Sequence, residues 1–181
     1  MLVIVFVGLP GTGKSTLAKL THDQIPNSVL LSSDFIRNEL FSNLSKENKS
    51  LIYTDDFRQI VYYTIFTIIK LANINNSIII IDATFTNEDN QRTLETLIKS
   101  QNAELRYILC EASESIIAQR LHTRSKDSSL SDADFSIYLK LKQNYNPQRF
   151  GSDLIIINTA NPIENCLKRI MDENNDLFNS K

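Results

Sequence analysis

Eight residues near the amino terminus carry the clearest chemistry in the chain. Gly8-Leu9-Pro10-Gly11-Thr12-Gly13-Lys14-Ser15 fits the pattern GxxxxGK[ST] at every fixed position, and Thr16 follows it. Glycines at these positions let backbone N–H groups turn inward around phosphate oxygens, and a helix starting there adds the positive end of its dipole. Lys14 would reach the β- and γ-phosphates of a nucleoside triphosphate, and the Ser15 hydroxyl would ligate Mg²⁺. The expected ligand is Mg·ATP.

Other polar residues stand where they can act on that phosphate. Asp82 ends the run Ile78-Ile79-Ile80-Ile81, and a carboxylate at the tip of a buried strand can hold Mg²⁺ or its waters beside Ser15. The alternative for Asp82 is a helix cap or loop residue. Ser32-Ser33-Asp34-Phe35-Ile36-Arg37 closes a second apolar run. Ligands of open parallel sheets bind outside the carboxyl ends of strands, so Asp34 can take a proton from an attacking hydroxyl, with Arg37 on the same helical face. Asp34 can equally serve as the cap of the following helix. Arg120 and Arg124, four apart with His122 and Lys126 nearby, repel one another unless an anion lies between them. A transferring phosphate is such an anion; a solvated helix end is the plainer reading.

These groups need a frame. Apolar runs at 2–7, 28–32, 78–81, 105–110 and 154–157 read as parallel strands buried on both faces. Helical patterns fill about 14–24, 34–42, 54–73, 87–101, 113–124, 131–145 and 162–173. Thr54-Asp55-Asp56 opens the longest helix, whose apolar residues cover more than one stripe and predict deep burial. Asn161-Pro162 opens the last helix, and Asn75-Asn76 marks a turn. Strand–helix alternation predicts an α/β sandwich around a parallel sheet. Residues 1–174 are expected to form a single domain with a lid at about 120–134, and 175–181 a frayed tail.

The totals fit one domain: 181 residues, 42% hydrophobic, 22% charged and a formal net charge of −2. That balance speaks against a protein that coats nucleic acid or anionic membrane. Cys110 and Cys166 match no metal or redox spacing and read as buried thiols in a reducing compartment. Residues 1–7 read as a buried strand rather than a leader, and Ile60 to Ile69 is too short to span a bilayer. The expectation is a cytoplasmic protein with no membrane association and no obligate protein partner.

GLPGTGKST, SSDFIR, IIIIDAT, the Arg120–Arg124 helix and SDAD at 131–134 together resemble the small P-loop kinase family often labelled AAA-type ATP-binding. That family includes polynucleotide 5′-hydroxyl kinases, zeta-type toxins and kinase domains fused to phosphotransferases, and the resemblance spans nearly the whole chain. It implies a P-loop NTPase three-layer sandwich with a five-stranded parallel sheet in the order 2-3-1-4-5 and a helical lid. It also implies that Lys14 and Ser15 act at the phosphates and metal, with Asp82 nearby and Asp34 as general base. Arg37 would hold the acceptor or the scissile phosphate, Arg120 or Arg124 would clamp the transition state, and the 158–162 loop would lie beside adenine.

The resemblance leaves the hydroxyl-bearing acceptor open. SSDFIR favours a nucleic-acid 5′ end. A small metabolite, sugar or antibiotic is favoured by the scatter of basic residues outside the lid, at Arg58, Arg92, Lys99 and Arg106. The sequence reading leans to the polynucleotide. A nucleotide-driven switch or ATPase is the contrasting class. It fits less well because Asp82 is followed by Ala83 and Thr84, with no carboxylate before Glu88. A guanine-reading Asn-Lys-x-Asp is missing too: Asn48-Lys49-Ser50-Leu51 lacks the aspartate.

Overall fold

A computed structural model describes residues 1–44, 51, 54–72, 78–124 and 135–175. The strands are β1 (Leu2–Val7), β2 (Ser28–Ser32), β3 (Ile78–Asp82), β4 (Glu104–Glu111) and β5 (Ile155–Asn158). The helices are α1 (Lys14–Gln24), α2 (Ser33–Leu40), α3 (Asp55–Leu71), α4 (Glu88–Ser100), α5 (Glu114–Arg124), α6 (Phe135–Lys142) and α7 (Ile163–Glu173). The strands form one five-stranded sheet in the order β2-β3-β1-β4-β5, and every pairing is parallel.

Alternation along the strands divides the core between two faces. Val3, Val5, Val7, Ile79, Ile81 and Leu109 pack under α3 and α4. Leu2, Ile4, Phe6, Ile80, Ile108 and Ile157 pack under α1 and α7. The result is a three-layer α/β sandwich. Because β1 and β3 are buried on both faces, their sequences are unbroken aliphatic runs.

Three local expectations are corrected. α3 buries one stripe (Val61, Tyr62, Ile65, Phe66, Ile69), whereas Tyr63 is 65% and Leu71 77% exposed, because the sheet covers one side of the helix only. Thr54 occupies the N-cap of α3 but makes no side-chain cap bond; its hydroxyl donates to the Leu51 carbonyl at 2.7 Å. Pro162 is the N-cap of α7 rather than its first helical residue. The Asn75-Asn76 turn, residues 125–134 of the expected lid, Lys126, and nearly all of the tail lie outside the described residues. Among the described residues, no helix is long and apolar enough to cross a membrane.

Candidate active site

The loop from Gly8 to Gly13 leaves β1 and turns back into α1. Gly8, Gly11 and Gly13 have φ of 139°, 80° and 90°, backbone that side-chain-bearing residues rarely adopt. A Cβ on Gly8 would also lie 2.5 Å from the Cys110 carbonyl oxygen on β4. The loop is braced internally: Thr12 Oγ1 donates to the Leu9 carbonyl at 2.7 Å, around the turn through Pro10 and Gly11. Gly13 is the N-cap of α1 and supplies no side-chain cap, so the first amides of the helix face outward for an anion. Lys14 is buried, with Nζ 3.3 Å from the Leu9 carbonyl. Ser15 and Thr16 are exposed.

Sheet register brings the acidic groups to this loop. Phe6 of β1 pairs with Asp82 of β3, and Asp82 pairs with Ser32 of β2. Asp82 is buried, and Ser32 Oγ donates to its carboxylate at 3.4 Å. Burial pushes the Asp82 carboxyl up. Lys14 and hydrogen bonds from Ser15 and Ser32 oppose that, while the charge of Asp34 adds to it. Ser15 and Asp82 together form an oxygen-only donor pair, the type suited to Mg²⁺. Among the described residues no cluster of three or more His, Cys, Asp or Glu could cage a metal, so the pair fits an ion that arrives with phosphates.

Asp34 does not cap α2. Ser32 does, accepting the Phe35 N–H at 3.4 Å. Asp34 instead forms an ion pair with Arg37 one turn on, and its side chain remains 32% exposed. Nearby, the Tyr62 hydroxyl accepts the N–H of Phe85 at 3.0 Å, fixing the loop that follows Asp82.

Across the P-loop, on the face covered by α1 and α7, lies a cleft of about 530 Å³ lined by Gly13, Thr16, Gln119, Arg120, Thr159 and Asn161, among others. Arg120 Nη1 donates to Thr159 Oγ1 at 2.8 Å and to the Gly11 carbonyl at 3.4 Å, while Nη2 donates to the Thr159 carbonyl at 2.7 Å. Arg120 therefore forms the wall of this cleft, and these bonds do not involve Lys14, Asp34 or Asp82. Arg124 ends α5; its side chain lies outside the described residues.

The structure thus brings Gly8 to Thr16, Asp82, Asp34 and Arg37 together at the carboxyl ends of β1, β3 and β2. Sequence reasoning passed over Ser32 and Tyr62 as site residues, and reached Thr159 only as part of the 158–162 loop that the resemblance set beside adenine. Ser32 adjoins a strand end and was legible there; a tyrosine within a helix carries no comparable signal.

A family model described as AAA domain matches residues 3–148. The chain belongs to this AAA domain family. A comparison with curated proteins finds no match. Solved structures share the fold. A gluconokinase from Sinorhizobium meliloti is 17% identical with a TM-score of 0.70, over 99% of this chain and 97% of that one. The Mycobacterium tuberculosis APS kinase CysC, solved with AMPPNP and APS, is 16% identical with a TM-score of 0.65, over 94% and 95%. Chaetomium thermophilum Kti12, solved with ADP-AlF3, is 17% identical with a TM-score of 0.67, over 94% and 98%. At these identities the likeness establishes the fold. This AAA domain has the architecture of small P-loop kinases.

Proposed function

We propose that the protein is an ATP-dependent kinase that transfers the γ-phosphate of Mg·ATP to a hydroxyl on a small acceptor. The observation that carries this reading is the Ser32–Asp82 contact. It joins the strand end that leads to Asp34 to the carboxylate beside Ser15, so a proton acceptor and a phosphate cradle share one edge of the sheet. A switch or mechanical ATPase has no use for a carboxylate that is about one-third exposed on the acceptor side and held by Arg37.

The P-loop amides and Lys14 hold phosphate oxygens. The Arg120–Thr159 cleft takes the base and ribose. Asp34 receives the proton of the acceptor hydroxyl as its oxygen bonds to the γ-phosphorus and the bond to the β–γ bridging oxygen breaks. Arg37 fixes the carboxylate that does this. Ser15 and Asp82 would hold Mg²⁺, which would supply charge neutralisation to the transferring group. Positioning and charge neutralisation account for most of the rate gain.

A small acceptor is preferred to a polynucleotide end because of where the basic residues lie. Arg58, Arg92 and Arg106 face Asp55, Glu88 and Glu104 at 2.9, 3.3 and 3.9 Å, and Lys99 sits at the far end of α4 from the site. The fold neighbours point the same way: the gluconokinase and APS kinase are named for small molecules.

The test is transfer of label from γ-labelled ATP to separate pools of hydroxy acids, sugars, nucleosides and a short 5′-hydroxyl oligonucleotide. Labelling of a small compound, lost in Lys14→Ala, is expected. Labelling of the oligonucleotide alone would restore the nucleic-acid end as acceptor. ATP hydrolysis at full rate with no acceptor would argue for the ATPase class.

A further inference from the structure

Arg149 lies in the 3₁₀ turn Pro147–Phe150, between α6 and β5, and only part of its guanidinium is engaged. Nη1 donates to the Thr86 carbonyl at 3.1 Å, and the guanidinium carbon stands 5.0 Å from the Phe150 ring centre and 5.9 Å from that of Tyr145. Nε and Nη2 are buried and have no hydrogen-bond partner among the described residues; the Tyr145 hydroxyl is in the same condition. The nearby Glu95 carboxylate does not meet this demand. It accepts from Gln91 Nε2 at 2.8 Å and from the Tyr107 hydroxyl at 3.3 Å. Two guanidinium N–H groups buried with no acceptor are costly, and folds rarely retain such a demand for stability.

The location gives this edge a purpose. Thr86 belongs to the loop that leaves Asp82, and its neighbour Phe85 is held by Tyr62, which feels the charges of Arg37 and Asp34. Tyr145 feels the charge of Glu111 at the end of β4, and its ring centre lies 6.5 Å from that of Phe150. Tyr62, Phe85 and Phe150 share the core under α3 and α4, with Tyr145 packed against it. That face is opposite the Arg120–Thr159 cleft, whose Leu17 and Cys166 belong to the core under α1 and α7. The pair therefore stands on the Asp34 side of the P-loop.

Nε and Nη2 form the side-on edge of a guanidinium, two parallel N–H groups matched to two oxygens of a carboxylate or phosphate. A phenol O–H supplies a third donor. We infer that Arg149 and Tyr145 recognise an anionic group on the acceptor, so that the enzyme selects acidic hydroxy compounds over neutral ones. The inference rests on the kinase reading, because it assigns the anion to the molecule that receives phosphate.

The experiment follows the side-chain Nε–H resonance of Arg149 by nitrogen-15 NMR, in protein saturated with Mg·AMPPNP so that the P-loop cannot take the probe. The signal is assigned by its loss in Arg149→Lys. Glycerate and glycerol phosphate should shift it; glycerol should not. In Arg149→Met the affinity for both anions should fall by roughly tenfold or more, and in Tyr145→Phe by a few-fold, with AMPPNP affinity unchanged. Arg149→Met should melt close to the wild type, since the lost Thr86 bond is offset by removal of two buried N–H groups that have no acceptor. A resonance indifferent to both anions while AMPPNP binds normally would overturn the assignment. So would an Arg149→Met protein with a collapsed melting temperature alongside a Tyr145→Phe protein of undiminished anion affinity. Failure of the wild type to bind AMPPNP is a separate result: it removes the kinase reading, and the acceptor assignment with it.

Discussion

The Thr159 hydroxyl accepts from Arg120 Nη1 at 2.8 Å, and its single proton is directed to the Thr12 carbonyl at 2.7 Å or the Glu111 carbonyl at 3.1 Å. One oxygen thus ties the loop after β5 to α5, the P-loop and the end of β4. Thr159→Val keeps the shape and deletes the hydroxyl, removing the bond to the Thr12 carbonyl and leaving Arg120 Nη1 with only its 3.4 Å bond to the Gly11 carbonyl. A loss of about 1–3 kcal/mol in stability is expected, with weaker AMPPNP binding, read by chemical denaturation and calorimetric titration. Gly13→Ala acts on the same spot by another route. Its φ is 90°, and a new Cβ would come 3.4 Å from Thr159 and 3.5 Å from Arg120 Nη1. The substitution should cost about 1–3 kcal/mol in strain and weaken nucleotide binding at least as much as Thr159→Val does. The spacing of Gly8, Gly11, Gly13, Lys14 and Ser15 made the P-loop legible because phosphate binding constrains consecutive residues. Arg149 escaped the sequence reading, and Thr159 entered it only through the family resemblance of its loop, because both reach the site across many residues of chain from loops whose composition is ordinary.

Between residue and fold stands the junction of α3 with the loop after β3. Phe85 is fully buried with φ 47°, a left-handed backbone for an aromatic residue. Its N–H is held by Tyr62, whose ring meets the Phe85 ring edge-on at 5.0 Å between centres. Tyr62→Phe retains the packing and orphans the amide, so urea unfolding should show a loss of about 1–3 kcal/mol. Tyr63→Phe on the exposed side of the same helix should change stability by less than about 0.5 kcal/mol. The strands and helices themselves were legible to within a few residues, since aliphatic runs and amphipathic spacing are imposed by burial on both faces of β1 and β3. The exposure of Tyr63 and Leu71 was not, because apolar residues on a helix do not state which of them the sheet will reach.

For the molecule as a whole, several ionisable groups are buried in their neutral forms. Burial pushes Tyr62 up to about 12 from 10.0 and Cys110 up to about 12 from 9.0. Tyr107 and Tyr145 are raised in the same sense, Tyr107 by burial and the nearby Glu95 charge, Tyr145 by burial. Each stays neutral in the folded chain at a pH where its unfolded counterpart ionises. The stability from these groups is therefore complete below about pH 9 and is lost as pH rises through about 12, at about 1.4 kcal/mol per pH unit for each group. Melting temperatures followed by circular dichroism should hold steady on approach to pH 9 and then fall steeply. A flat profile to pH 12 would mean that these groups are not buried as described. At this scale the sequence yielded an α/β sandwich from alternation alone; the strand order came from resemblance to a family, because pairing order is written in contacts between distant segments.

Catalysis turns on one proposed step, in which Asp34 accepts the proton of a hydroxyl that attacks a phosphate held by the P-loop. It is tested most directly by comparing Asp34→Asn with the wild type, measuring AMPPNP affinity and steady-state phosphate transfer to whichever acceptor pool becomes labelled. Unchanged nucleotide affinity and a kcat lower by roughly two to four orders of magnitude are expected in Asp34→Asn. Turnover equal to the wild type in Asp34→Asn would contradict it.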